Sequence, residues 1–208
     1  MLKELFESTF YITHHLKNGA LVNIQEYSSI GEIHLCDSTA CRNCSVCVSH
    51  PEYRTNINIF SNTSVNYISV EQVFSYVSED LGDSCDYLLA DSNRASLLEM
   101  TCSESKYVDN ERGKRMKARG QLLNTLIHFF ENKNVRDFLS NKSSKYVIFS
   151  WKDSSLVKDT TDDVEKNFCS FTNITDEVYS IDNVQKFDFD FLFKEVRYPD
   201  VLQWNQLR

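Results

Sequence analysis

With 208 residues, the chain is long enough for one sizeable domain with its own hydrophobic core. Its hydrophobic fraction of 41% and only two prolines argue against a disordered polymer, and a formal net charge of −8 argues against a protein whose whole surface grips nucleic acid. No apolar run reaches the roughly 18–20 residues of a membrane span. The opening MLKELFESTFYITHHLKNG lacks a basic region followed by a clean apolar one, so neither a membrane nor a secretory leader is expected. These readings together imply a cytoplasmic protein. In it the sequons at Asn62, Asn141 and Asn173 stay unused, and seven cysteines serve as metal ligands or free thiols rather than as a disulfide framework.

In chain order, LVNIQEY (21–27) and EIHLC (32–36) alternate weakly and read as strands, with Gly19 and Gly31 at turns. The adjacent His14 and His15 offer ligand nitrogens on a segment of uncertain type. Cys36, Cys41, Cys44 and Cys47 follow as C-x4-C-x2-C-x2-C, flanked by His34 and His50. Four soft donors in one loop can close tetrahedrally on Zn²⁺ or hold an iron–sulfur cluster. The residues 34–50 are therefore expected to form a small metal-binding insertion whose ion contributes folding energy. The opening C-x4-C-x2-C spacing is similar to that of plant-type ferredoxins, whose fourth cysteine, unlike Cys47, lies far downstream. TNINIF (55–60) reads as a short strand.

Val70, Val73, Phe74, Val77 and Leu81 fall at helical spacing, Ser69 and Gln72 form a capping box, and Gly82 stops the helix. Strands are expected at 85–91 and 94–102. If Ser92 and Asn93 form a two-residue turn, opposed residues sum to 185, so Asp86 faces Glu99 and shares a face with Leu88 and Leu97. A turn at Asn93–Arg94 would break that register. Two carboxylates across an antiparallel pair, with Cβ atoms about 4.5–5.5 Å apart, repel. A divalent cation, a basic neighbour or a proton kept on one acid would offset this.

Residues 111–139 read as a helix interrupted at Asn132–Asn134, with Met116, Leu123, Ile127 and Phe130 on one stripe and Lys114, Lys117 and Gln121 on another. His128, among apolar neighbours, reads as a boundary or core histidine. Six of the 22 basic residues fall between Lys106 and Arg119, enough for a local basic groove or simply a solvated face. YVIFSW (146–151) fits a buried strand, 152–167 an exposed connection, and Phe187, Phe189, Phe191 and Phe193 alternate like a half-buried strand. Neither a P-loop nor a GxGxxG or GxSxG motif is present.

An aspartate on one strand, a glutamate on the next and a following helix with lysines and a Gln-Leu pair resemble the PD-(D/E)XK nuclease superfamily, over Ser69–Trp151. The resemblance implies an α/β (α+β) fold with a three-layer, restriction-endonuclease-like core at 69–151. A cysteine-rich insertion and a C-terminal extension at 152–208 would complete one domain. It implies Mg²⁺ held by Asp86 and Glu99, Gln121 as the helix glutamine, and Glu71 or Glu79 as an extra acid. Where the family places a lysine, two residues after Glu99, this chain has Thr101, so Lys114 or Lys117 would have to supply the charge. Two functions are expected on this basis. One is metal-dependent hydrolysis of DNA phosphodiester bonds. The alternative is a catalytically inert subunit that binds DNA or partner subunits in a larger complex, for example one of antiviral defence.

Overall fold

A computed structural model describes residues 1–36, 57–103, 105–108, 113–153 and 184–207. The chain opens with a helical run of α1 (Leu2–Leu5), a π-helical turn (Phe6–Phe10) and α2 (Tyr11–Thr13). Leu2, Phe6 and Phe10, four residues apart, share one side of this run and are fully buried. Glu26 caps its start, accepting the amides of Leu2 and Lys3 at 3.0 Å. Strand β1 (Glu26–Leu35) then pairs antiparallel with β2 (Ile57–Ser69), and the register slips at Gly31, whose φ of +89° suits a bulge.

The remaining elements are α3 (Val70–Ser75), β3 (Tyr87–Ala90), β4 (Arg94–Ser103), α4 (Ser105–Val108), α5 (Lys114–Glu131), α6 (Lys133–Ser140) and β5 (Ser144–Asp153). After them come β6 (Gln185–Lys186), β7 (Leu192–Arg197) and β8 (Val201–Gln203). The strands form one mixed sheet in the order β1-β2-β3-β4-β5-β7-β6, with β8 alongside β2. Strands β2, β3 and β4 run as an antiparallel meander, while β4, β5 and β7 are mutually parallel. The fold is therefore α+β, with the hairpin, helix and parallel strand in the expected order. Among the described residues, no helix is long and apolar enough to cross a membrane.

Side chains alternate across the sheet and build two cores. Leu88, Ala90, Leu97, Val147, Phe149 and Phe193 face one way and pack with the buried residues of the helices. Tyr87, Leu89, Leu98, Met100, Ile148 and Val196 face the other way and pack with Ile57, Ile59, Tyr67, Leu202, Trp204 and Leu207. Among the described residues, the helices' buried side chains all belong to the first core. On the second face, where a three-layer architecture would put helices, the described residues beyond the main strands are Leu202 of β8, which itself pairs with β2, and Trp204 and Leu207 from the 3-10 turn Trp204–Gln206 and the residue after it.

Several elements differ from the sequence reading for physical reasons. The helix expected over 69–81 stops at Ser75. Ser69 Oγ caps it by accepting the Gln72 amide at 3.2 Å, but the Gln72 side chain bonds Gln25 and Asn23 instead of closing the box. The first amphipathic strand starts at Glu26 rather than at residue 21.

In α5 the buried stripe is Ala118, Leu122, Thr125, Leu126 and Phe129, whereas Met116 is 57% and Ile127 40% exposed. Leu122-Leu123, Leu126-Ile127 and Phe129-Phe130 are apolar doublets, so two adjacent stripes satisfy the helical period and the pattern alone chooses the wrong one. The break at Asn132 is a cap: its Oδ1 accepts the Val135 amide at 3.0 Å and starts α6. The phenylalanine alternation is not one strand. Asp188–Asp190 is a 3-10 turn with positive φ at Phe189 and Asp190, and only Leu192 onward joins the sheet.

Candidate active site

The observed β3–β4 pairs, Tyr87 with Leu98 through Ala90 with Ala95, all sum to 185, and the Asp91 amide donates to the Arg94 carbonyl at 3.0 Å. The turn residues are thus Ser92 and Asn93. Asp86 lies one residue before β3, and its amide donates at 3.0 Å to Leu98 O, the carbonyl of the residue already paired with Tyr87, so the 185 register stops at Tyr87 and the expected Asp86–Glu99 pair is not part of the ladder. Strand parity with Leu97 turns Glu99 toward α5, whereas Asp86 precedes β3 and is not set by that parity, since Cys85 and Leu88, three residues apart, both enter the helix-side core. Both acids are buried, at 7% and 8% exposure. The Asp86 Oδ2 accepts the Met100 amide at 2.7 Å. The fully buried Cys85 belongs to the helix-side core, and its thiol is pushed well above its ordinary pKa by burial first, and then by the negative charges of Glu99 and Asp86.

This end of the sheet gathers further charged groups. Because β4, β5 and β7 are parallel, their carboxyl ends lie together, and the start of α5 follows β4 by way of α4. In open sheets with parallel strands this edge is where ligands bind. Asp153, opposite Ser103 at the end of β5, and Glu195, opposite Phe149 on β7, join Asp86 and Glu99 there by strand parity. Glu195 takes a two-pronged ion pair from Arg115 at 2.7 and 2.8 Å, and its Oε1 also accepts the Trp151 indole at 2.8 Å. Arg119 stacks over Phe193, 4.4 Å from the ring centre, and Arg197 over Trp151 at 4.8 Å. The sequence reading missed Asp153 and Glu195. Asp153 closes the apolar run 146–151 two residues on, and Glu195 continues the alternation of Phe191 and Phe193, so both were marked by strand parity.

The α5 candidates act on the loop that leads to Asp86. Gln121 Nε2 donates to Ser84 O at 3.0 Å, and Lys117, on an exposed side of the helix, pairs with Asp83 at 3.4 Å. Asn124 adds bonds to Leu81 O and Asp83 O, and Thr125 Oγ1 accepts the Cys85 amide at 3.0 Å. Gly82 fits under this clamp with φ +73°. A Cβ there would sit 3.3 Å from Asn124 Nδ2. Lys114 begins α5 and is exposed. Thr101, 9% exposed, follows Glu99 on the same face. Glu71 and Glu79 lie on exposed positions, and the ion-pair partner of Glu79 is His14.

No family model, curated protein or solved structure matches the chain.

Of the cysteine cluster, Cys36 is buried at the end of β1, where its carbonyl accepts the Tyr87 hydroxyl at 3.3 Å. Cys41, Cys44 and Cys47 lie outside the described residues, as does the connection after Asp153. The strand reading at 55–60 is met from Ile57 onward, and β2 runs on to Ser69.

Proposed function

We propose that Asp86 and Glu99 form the cation site of a nuclease-like protein of the PD-(D/E)XK kind, with a restriction-endonuclease-like core, that hydrolyses DNA phosphodiester bonds. The observation that carries this reading is the approach of two buried carboxylates: Asp86 Oδ2 accepts the Met100 amide at 2.7 Å, immediately next to Glu99 on β4. The donor set fits a hard cation. It consists of carboxylate oxygen atoms, the ligands that such cations take. When bound, Mg²⁺ supplies an activated water and neutralises charge on the phosphate.

The chain's own residues do the positioning. Gln121, Asn124 and Thr125 fix the 81–85 loop and with it the approach of Asp86 to Glu99. Lys114, exposed at the start of α5, is the side chain offered to substrate phosphate, while Lys117 is engaged by Asp83. The cysteine-rich insertion is assigned a structural Zn²⁺ or iron–sulfur cluster, and the protein is taken to act in the cytoplasm.

Cleavage of plasmid and single-stranded DNA in Mg²⁺ or Mn²⁺ tests the proposal. Wild type is expected to cut, Glu99→Gln to lose at least a hundredfold in rate, and Thr101→Lys to cut faster than wild type. A specific observation favours the second reading, an inert nuclease-fold subunit that binds DNA or partner chains: Arg115, Lys117 and Arg119 are held by Glu195, Asp83 and Phe193 rather than presented along a groove. Wild type without cleavage on any substrate, together with activity gained in Thr101→Lys, would establish that reading instead.

A further inference from the structure

Three separate stretches converge at the last turn of α5. His14 follows α2 and is 4% exposed, His128 and Glu131 belong to α5, and Glu79 lies between α3 and β3. His128 Nδ1 lies 3.1 Å from Glu131 Oε2, which is 3.7 Å from His14 Nε2, and His14 Nδ1 lies 3.8 Å from Glu79 Oε1. One ligand atom from each of His14, His128 and Glu131 falls within 4.8 Å of the others.

Backbone carbonyls orient both rings. His128 Nε2 faces Leu81 O at 3.1 Å and His14 Nε2 faces His128 O at 3.2 Å. A carbonyl only accepts, so each Nε2 is the donor there, the way imidazoles that ligate a metal are usually held. Each Nδ1 is turned toward a carboxylate, His128 Nδ1 to Glu131 and His14 Nδ1 to Glu79, contacts that an ion bound between them would replace.

We propose that His14, His128 and Glu131, with Glu79 as the fourth donor, form a binding site for a zinc-class transition-metal ion. The donor set of two imidazole nitrogens and carboxylate oxygen suits zinc rather than magnesium or calcium, and the half-exposed side chains of Glu131 and Glu79 leave their carboxylates room to turn toward the ion. The i,i+3 spacing of His128 and Glu131 puts both on one helix face. The last turn of α5 adds the negative end of the helix dipole, which favours a cation. The four side chains also partner one another: the ion-pair partners of Glu131 are the two imidazoles, and that of Glu79 is His14. A bound ion would tie the N-terminal helical run to α5 across 114 residues of chain and fix Leu81, where the loop to Asp86 begins. This site is independent of the nuclease reading.

The test uses the full chain stripped with a chelator and titrated with zinc chloride. With five histidines in the chain, the imidazole NMR signals resolve the site. Signals of His14 and His128 are expected to move together with the first zinc equivalent assigned to them. The melting temperature should rise by about 5–10 °C at a hundredfold excess over Kd. His128→Gln and Glu131→Gln should each bind one zinc fewer than wild type, and Glu131→Gln, at a half-exposed position, should keep the wild-type zinc-free melting temperature to within about 3 °C. Both are chosen because substituting the buried His14 endangers the fold. Any signal from the cysteine cluster appears at His34 and His50 instead. Equal zinc content in wild type and both variants, or unmoved His14 and His128 signals at millimolar zinc, overturns the proposal.

Discussion

At the turn end of the β3–β4 hairpin, one carboxylate is enclosed by donors. Asp91 accepts the amides of Asn93 and Arg94, both at 2.7 Å, the Arg94 guanidinium at 3.1 Å and the Trp204 indole at 2.9 Å. Lys142 closes the turn from the other side, donating to Asp91 O at 2.6 Å, and its own pKa is lowered by burial despite the nearby Asp91 charge. At the open end of the same hairpin, Asp86 accepts the Met100 amide beside Glu99, with Cys85 close to both, while Arg115 and Lys117 engage Glu195 and Asp83. The two ends therefore separate a structural acid from a pair arranged for chemistry. The structural acid is saturated by donors that fix one geometry. The pair concentrates like charge, which costs stability unless a cation joins it.

The largest expected effect lies at the saturated end. Asp91→Ala would strand the buried indole and guanidinium donors and is expected to cost about 3–5 kcal/mol, read by urea unfolding. Asp91→Asn separates charge from shape. Burial alone would raise the Asp91 pKa, but the indole, amide and guanidinium bonds outweigh it and hold the group below its ordinary value. An unfolded chain then binds more protons near that value, so the charge contributes fully above about pH 4 and is lost as pH falls through the lower folded value. The stability gap between wild type and Asp91→Asn should accordingly be flat above about pH 5 and shrink below pH 4. A gap independent of pH would place the stabilisation in packing instead.

A smaller effect is expected at the clamp that aims Asp86. Thr125→Val keeps the side-chain shape but leaves the buried Cys85 amide without its acceptor, a loss of about 1–3 kcal/mol with a fall in cation affinity at Asp86 and Glu99. A stability loss with unchanged affinity would detach the loop from the site. The smallest effect has the opposite sign. Glu99→Gln removes like charge near Asp86 and should stabilise the cation-free protein by about 0.2–1 kcal/mol.

The open end was the more legible of the two in the sequence. The two-residue turn and the pairing from Ala90–Ala95 to Tyr87–Leu98 followed from period-two counting, because a hairpin register is local information, but the shift at Asp86 did not. What closes the turn end is not local: Trp204 reaches Asp91 across 113 residues, and nothing in the sequence near either residue announces the pairing. The same holds for His14 and His128, read apart as weak ligands and brought together only by packing of the helical run on α5. In α5 the apolar doublets left the buried stripe undecided, and in the tail an unbroken Phe-x-Phe alternation hid a turn at Asp188–Asp190. The helical side of the sheet could be counted out. The covering of its other face by β8 and Trp204 could not, because three-residue strands and single turns carry no periodicity.

Calorimetric titration of the full chain with Mg²⁺, compared with Asp86→Asn and Glu99→Gln, tests the acid pair most directly. One ion is expected to bind wild type, with affinity reduced at least tenfold in each variant. Equal affinity in all three proteins, or no binding to wild type at millimolar Mg²⁺, would contradict the assignment of the open end of the hairpin as a cation site.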